Sequence, residues 1–188
     1  MTRKPLIAVA GDGRVPPGHP HYEAARALGC CLVDRGYRVL TGGGHGVSEG
    51  ASRGARESHL WAPGDVVAVL PGLDTAAANP WVDAAVATGL SHLRNGLVAS
   101  GDAVIAIGGG AGTLSEMALA WIFDRLVIAL RGSGWAARLA DGPVDERLRF
   151  PHIPGDRVYG ANTPEEAATL LDRLLPLYLP WARSTREV

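Results

Sequence analysis

The sequence predicts an α/β protein: a three-layer, Rossmann-like, doubly wound parallel sheet with strand order 3-2-1-4-5 and one possible extra strand. Two observations carry this prediction. Short apolar segments alternate with helical patterns, and glycine-rich turns follow several of those segments. Short apolar runs fit parallel strands that are covered on both faces, and alternating strands and helices require right-handed crossovers.

The first half of the chain contains three predicted strands with helices between them. The strands are Leu6–Ala10, Tyr37–Thr41 and Val66–Leu70, and the helices are Tyr22–Asp34 and Val47–Glu57. In the first helix, apolar residues recur at steps of three and four, which is the helical period. A chain built in this way places its second strand beside its first and its third beside its second.

The second half begins with a polar, proline-bearing connection over 73–88, which allows the chain to cross to the other side of the first strand. A final helix is predicted to start at Thr163 and to end at about Leu175, because Pro176 and Pro180 follow. The remaining predicted elements are a helix at Gly89–Ser100, a strand at Ala103–Ile107, a helix from about Thr113, a strand at Leu126–Leu130, a short helix at Trp135–Leu139 and a last short strand at Asp156–Tyr159.

Composition restricts the functional classes. The 188 residues predict one domain over 1–176 and a tail over 177–188. A formal net charge of -1 offers no general attraction to nucleic acid, and no apolar run approaches a membrane span. We therefore expect a cytoplasmic protein with neither nucleic acid nor membrane as a partner.

Glycine turns follow the first, second and fourth predicted strands, and the predicted strand order brings all three to one crevice. Glycine permits positive φ and leaves backbone N–H groups open, and the N-terminus of a helix favours an anion. The turns therefore predict a site for the phosphate of a nucleotide-like ligand. The residues expected to contact this ligand are Gly11, Asp12, Gly43, Gly44, Gly109, Gly110, Gly112 and Thr113.

Glu116 lies about one turn into the helix that follows the fourth strand, and its spacing alone leaves two interpretations open. The carboxylate could stabilise the positive end of the helix dipole, or it could be a reactive group beside a bound phosphate ester. The six histidines show no metal-ligand spacing, so no metal site is predicted.

The segment IGGGAGTLSE, from Ile107 to Glu116, resembles the PGGxGTxxE motif of the LOG-like superfamily. Together with Leu70-Pro71-Gly72 and Leu90–Asn95, it is similar to a bacterial branch related to the molybdenum cofactor carrier protein. The resemblance extends from about Pro5 to Pro176. It implies a homodimer whose glycine turn holds a phosphate, with Asn95 among the residues that contact the ligand.

Known members of this superfamily include phosphoribohydrolases, which cleave the N-glycosidic bond of nucleoside 5′-monophosphates. The resemblance therefore implies hydrolysis to free base and ribose 5-phosphate, with Glu116 and Arg94 as catalytic residues and no cofactor. Two departures favour the carrier-like branch instead: Ile107 stands where the enzymes have proline, and Leu90–Asn95 replaces a MHERK-like segment.

Two functional hypotheses result. The first is hydrolysis of a nucleoside 5′-monophosphate. The alternative is a carrier or sensor without catalysis, whose ligand is the molybdenum cofactor or another phosphorylated, nucleotide-like molecule. A dinucleotide oxidoreductase is a weaker hypothesis, because Gly11–Arg14 lacks a full GxGxxG motif and no acidic residue ends the second strand.

Overall fold

A seven-stranded parallel sheet forms the centre of the structure, a computed structural model that describes residues 3–184. The strands are β1 (Leu6–Gly11), β2 (Arg38–Thr41), β3 (Val66–Leu70), β4 (Ala84–Ala87), β5 (Ala103–Ile107), β6 (Leu126–Leu130) and β7 (Tyr159–Ala161). Their order across the sheet is β4-β3-β2-β1-β5-β6-β7, and all neighbouring pairs are parallel. The predicted doubly wound order is confirmed, because the five predicted main strands are β3-β2-β1-β5-β6.

Both edges of the sheet carry a strand beyond those five. The edge strand β4 lies in the segment that was predicted to be an irregular connection, and that prediction was wrong. Alternate residues of β4 are exposed, so the segment lacks the continuous apolar run of a strand covered on both faces. At the other edge, β7 is the predicted extra strand, displaced towards the C-terminus from 156–159.

Within residues 3–184, six α-helices cover the two faces of the sheet. They are α1 (Pro20–Asp34), α2 (Val47–Glu57), α3 (Asn95–Ala99), α4 (Ala111–Ile122), α5 (Gly134–Leu139) and α6 (Pro164–Ser184), with 3-10 turns at Thr75–Ala77 and Ser91–Arg94. One buried cluster joins α1, α2 and α6 to the sheet, and a second joins α3, α4 and α5 to its other face. This arrangement confirms the three-layer prediction.

The strands divide their side chains between the two clusters. In β1, Ile7 and Val9 belong to the first cluster, whereas Ala8 and Ala10 belong to the second. Successive side chains of a strand point to opposite faces, so a strand covered on both sides must be apolar throughout. The continuous apolar runs of β1, β5 and β6 follow from this requirement.

Three helix predictions need correction. The predicted helix at Gly89–Ser100 consists of a 3-10 turn at Ser91–Arg94 followed by α3. The next helix, α4, begins at Ala111 rather than at Thr113, so its first turn includes Gly112.

The last helix, α6, continues to Ser184 through two prolines that were predicted to end it. Leu171, Leu174, Leu175 and Tyr178 form a buried stripe along this helix. Burial of such a stripe can outweigh the backbone hydrogen bonds lost at proline. The predicted tail is therefore wrong for 177–184, and its remainder, 185–188, lies outside the described residues. No helix within the described range has the length and apolarity to cross a membrane.

Candidate ligand-binding cavity

A cavity of about 490 Å3 opens at the carboxyl ends of β1, β2 and β3. Its floor includes Val9, Ala10 and Leu70 at the ends of strands. Its walls come from the segments that follow β2 and β3 and from the 3-10 turn at Ser91–Arg94. The predicted crevice lay between β1 and β5; the cavity includes the end of β1 and the first half of α4, which follows β5, but it extends over β2 and β3. A cavity of this size accommodates a small molecule of nucleotide dimensions.

Two helices from opposite faces of the sheet begin at this cavity. Gly112, in the first turn of α4, lines it, and so does Ser48, in the first turn of α2. The hydrogen bonds described for residues 3–184 include no partner for the backbone N–H groups of Gly110, Ala111 and Gly112. Open N–H groups and two positive dipole ends favour a bound anion at this place.

The glycines of the turn after β5 serve two different purposes. Gly110 and Gly112 have open space where a side chain would start, so the beginning of α4 stays uncovered. Gly108 and Gly109 have positive φ values of 60° and 82° and are packed, respectively, against His21 and Thr113. A side chain at either packed position would collide, so these two glycines shape the turn.

The ion pair between Arg94 and Glu116 is the principal charged feature of the cavity, and both residues line it. Arg94 Nη1 donates to Glu116 Oε1 over 3.0 Å. The guanidinium lies against Gly42, where any side chain would collide with it. Arg94 Nε is buried and has no hydrogen-bond partner among the described residues. The pair is thus held in place but is incompletely hydrogen-bonded.

Glu116 is buried, with 7% of its surface exposed. Burial raises the pKa of this carboxyl to about 7, and the neighbouring Arg94 guanidinium offsets part of that rise. Burial disfavours the charged carboxylate, whereas a nearby cation favours it. Near neutral pH, Glu116 can therefore donate or accept a proton at the wall of the cavity.

Asn95 is also buried and lines the cavity. Its side-chain Nδ2 donates to Ser115 Oγ over 2.6 Å, and Ser115 Oγ in turn donates to the Gly112 carbonyl oxygen over 2.7 Å. A carbonyl oxygen can only accept, so the direction of both hydrogen bonds is fixed. Asn95 Oδ1 accepts no hydrogen bond from the described residues.

Most of the predicted site residues meet at this cavity. The predicted residues that line it are Gly11, Gly44, Arg94, Asn95, Gly112 and Glu116. Gly110 is exposed at the start of α4, next to the lining residue Gly112.

Four predicted residues are not among those that line the cavity. Gly43 packs against Leu70, and Gly109 packs against Thr113, itself buried. The Asp12 carboxylate accepts the backbone N–H of Arg14, and the Asp12 carbonyl accepts that of Val47. A role for these four in ligand contact stays a prediction, and their observed contacts shape the turns.

Several residues that line the cavity were not predicted from the sequence, among them Ser48, Pro71, Gly72 and His92. Pro71 and Gly72 follow β3 directly, so a site at the strand ends could have indicated them. His92 and Ser48 carry no local signal, because their positions depend on how the 3-10 turn and α2 pack. Within residues 3–184, no group of three or more metal-ligating side chains is present.

The fold and the cavity together define a class: doubly wound α/β proteins with an anion-receptive site at the carboxyl ends of the strands. Residues 4–167 match the model of the SLOG cluster4 family. The chain belongs to this family.

Two similar solved structures cover nearly the whole chain. One is the molybdenum cofactor binding protein of the phototrophic bacterium Rippkaea orientalis, which is 33% identical and has a TM-score of 0.73 over 93% of this chain and 99% of that one. The other is the molybdenum cofactor carrier protein of Chlamydomonas reinhardtii, which is 29% identical with a TM-score of 0.72 over the same shares. An uncharacterized protein of Archaeoglobus fulgidus is 35% identical over 126 residues, 66% of this chain and 79% of the relative.

Proposed function

We propose that this protein binds a phosphorylated, nucleotide-like small molecule and carries it without turnover, with the molybdenum cofactor as the leading cargo. The observation that carries the proposal is the meeting of two helix N-termini, α2 and α4, with the Arg94 guanidinium at one cavity. These groups are the ones that bind a phosphate ester.

The cavity also suits a flat ring beside the phosphate. Val9, Ala10 and Leu70 provide an apolar floor, and Asn95 Oδ1 offers an acceptor for a ring N–H or a sugar hydroxyl. A phosphorylated pterin has the ring, the N–H donors and the phosphate that these groups would meet. The likeness to two molybdenum cofactor proteins supports the same ligand.

Mass spectrometry of small molecules released from freshly purified protein tests this proposal. We expect a phosphorylated pterin, or its oxidised fluorescent product, at up to one molecule per chain. Titration of ligand-free protein with molybdopterin should then restore binding. Protein that releases no small molecule and binds neither molybdopterin nor a nucleoside monophosphate would contradict the proposal.

A second candidate function is hydrolysis of a nucleoside 5′-monophosphate, the activity expected for a LOG-like enzyme. The observation that favours it is Glu116, whose carboxyl has a pKa of about 7 and lies beside Arg94 in the cavity. A group that titrates near neutral pH suits general acid–base catalysis, and a carboxylate can stabilise the positive charge that develops on the ribose.

Chromatography of reactions with AMP, GMP, CMP and UMP separates the two candidates. An enzyme would release free base and ribose 5-phosphate, and Glu116→Gln should abolish the release without loss of fold. No free base at high protein concentration, together with retained binding, would leave the carrier function. No cofactor is proposed for the hydrolysis.

We also propose that two copies of the chain associate through an apolar surface beside the cavity. Three leucines in and just before α3 are exposed: Leu90, Leu93 and Leu97, of which Leu93 is 80% exposed. Leu73, which follows the cavity residue Gly72 in the chain, is 85% exposed. Exposed apolar clusters commonly mark interfaces. Light scattering should give the mass of a dimer for the parent, and Leu93→Glu should give a monomer.

A further inference from the structure

The cavity contains one carboxylate at the place where an anion is expected. Glu116 lies in the first half of α4, and its carboxyl lines the same cavity as Gly112 and Arg94. Two negative charges in this cavity repel each other, and solvent screens the repulsion only weakly at Glu116, which is 7% exposed. Either Arg94 must compensate both charges, or one of them must be neutralised.

Arg94 carries a single positive charge, which cannot fully offset both the Glu116 carboxylate and a phosphate dianion. Its Nη1 donates to Glu116 Oε1, and its Nη2 lies against Gly42. Its Nε is buried without a partner in the described part of the chain. If Glu116 loses its charge, the whole positive charge of the guanidinium becomes available to the ligand.

The second carboxyl oxygen of Glu116 is available for a proton. Oε1 accepts from Arg94, whereas Oε2 has no hydrogen-bond partner among residues 3–184. A protonated Oε2 is a hydrogen-bond donor, and the acceptor it requires would be an oxygen or nitrogen of the ligand.

We propose that the cavity binds its anionic ligand together with one proton, and that Glu116 takes this proton and meets the ligand as a neutral hydrogen-bond donor. This inference rests on the proposed binding function and identifies the state in which the site works. Glu116 becomes a specificity-determining residue, because the site then prefers a ligand that offers both an anion and a neighbouring acceptor.

Few other ionisable groups act on Glu116. The strands beneath α4, β1, β5 and β6, contain no ionisable side chains. His92 precedes α3 and His45 precedes α2, and both line the cavity. Asp12 follows β1, where its carboxylate accepts the backbone N–H of Arg14.

The neighbouring helix α5 contributes Arg138, whose guanidinium lies 4.9 Å from the centre of the Trp135 ring. The coupling to Arg94 lowers the pKa of Glu116, but burial raises it more, to about 7. The carboxyl is therefore neutral below this pH and ionised above it. A ligand that requires the neutral form would bind less tightly as the pH rises through this value.

Calorimetric titration with GMP and with ribose 5-phosphate between pH 7 and 9 tests the inference, since a phosphate monoester stays a dianion in this range. For the parent protein, we expect affinity to fall by about tenfold per pH unit above pH 7. Titrations in two buffers of different ionisation enthalpy should show uptake of close to one proton per ligand at pH 8.

The isosteric variant Glu116→Gln should bind with an affinity that is independent of pH and without proton uptake. Thermal unfolding would confirm that this variant is folded. The matched control replaces His45 and His92 by Gln, and it should retain the slope and the proton uptake of the parent.

The outcomes distinguish a failure of the proposed role of Glu116 from a failure of the proposed binding function. Parent protein that binds either probe with no pH slope and no proton uptake would overturn the role of Glu116 while the binding function stands. A slope lost in the histidine variant and kept in Glu116→Gln would overturn it as well. Failure to bind either probe at any pH, with molybdopterin also unbound, would refute the binding function and this inference with it.

Discussion

The helix α4 has a buried arginine–carboxylate pair at each end, and the two pairs differ in how completely they are hydrogen-bonded. At the C-terminal end, Arg149 binds Asp156 through two contacts of 2.8 Å and donates to the carbonyls of Trp121 and Arg125. At the N-terminal end, Arg94 and Glu116 share a single hydrogen bond of 3.0 Å.

The difference indicates what each pair does. The Arg149 side chain is completely buried, and its guanidinium lies 3.5 Å from the centre of the Trp121 ring. Each of its three side-chain nitrogens donates a hydrogen bond within the protein. At the cavity, Arg94 Nε is buried without a hydrogen-bond partner, and Glu116 Oε2 accepts no hydrogen bond from the described residues. A satisfied buried pair holds the fold, whereas an unsatisfied pair at a cavity is available to a ligand.

The largest expected effect concerns the satisfied pair. Arg149→Met leaves Asp156 buried without its cation and should lower the free energy of unfolding by about 3–5 kcal/mol. The affinity of the folded protein for its ligand should not change. Urea unfolding and calorimetry measure the two quantities.

Arg147→Met is the matched control for that substitution. Arg147 also donates to the Trp121 carbonyl, but its hydrogen bond is only partly buried, so we expect a loss below about 1 kcal/mol. If the two variants lost equal free energy of unfolding, the pair of Arg149 with Asp156 would contribute no more to stability than the surface residue Arg147.

A second prediction concerns the pH dependence of stability. The pKa of Glu116 is about 7 in the folded protein against a reference value of 4.5, so the unfolded chain binds fewer protons between these two values. The stability contributed by neutral Glu116 is therefore complete below about pH 4.5 and is lost as the pH rises to about 7.

Glu116→Gln lacks this titration. Relative to the parent, its free energy of unfolding should rise by about 3 kcal/mol between pH 4.5 and pH 8, which corresponds to the difference between the two pKa values. Unfolding in denaturant at several pH values measures the change. A stability difference that stays constant across this range would show that Glu116 is ionised like an exposed carboxylate.

A third prediction separates binding from stability at the cavity. Arg94→Met should weaken binding of a phosphorylated ligand by about thirtyfold, or about 2 kcal/mol, because it removes charge-assisted hydrogen bonds. Stability should fall less than in Arg149→Met, since Glu116 can take up a proton when its partner is lost. Arg138→Met, on the exposed side of α5, serves as the control and should bind normally.

The smallest expected effect is at Gly112. A methyl group at this position meets no atom within 4 Å, and Gly112 lacks a positive φ. Gly112→Ala should therefore raise the free energy of unfolding by up to about 1 kcal/mol and weaken ligand binding several-fold, because the methyl group enters the cavity. Gly142→Ala, at an equally open position far from the cavity, should leave affinity unchanged.

The elements that could be predicted from the sequence are those with a strong local pattern. β3, β5, β6 and α2 have the predicted bounds, because a strand covered on both faces is apolar throughout and an amphipathic helix repeats at its own period. β4 was missed because an edge strand with half its residues exposed has no such pattern. The extent of α6 was missed because burial of its apolar stripe outweighs the local effect of two prolines.

The residues of the candidate site also divide into those that a local sequence pattern predicts and those that it does not. The glycine turn before α4 was predicted from its own residues, since it joins a buried strand to a helix with open N–H groups. The contact between Arg94 and Glu116 joins residues 22 positions apart, and only a resemblance to known proteins connected them beforehand. Ser48 and His92 reach the cavity through the packing of separate elements and had no local signal.

The sequence by itself determined the order of the five main strands and the position of the glycine turn before α4. Residues close together in the chain mark the strands and the turn through periodicity and glycine content, and the rules of crossover connections then give the strand order. The tertiary structure alone decided that Arg94 lies against Glu116 and that Glu116 is buried at the cavity. Burial and electrostatic environment depend on residues far apart in the chain, so the protonation of Glu116 emerges only when the layers are packed together.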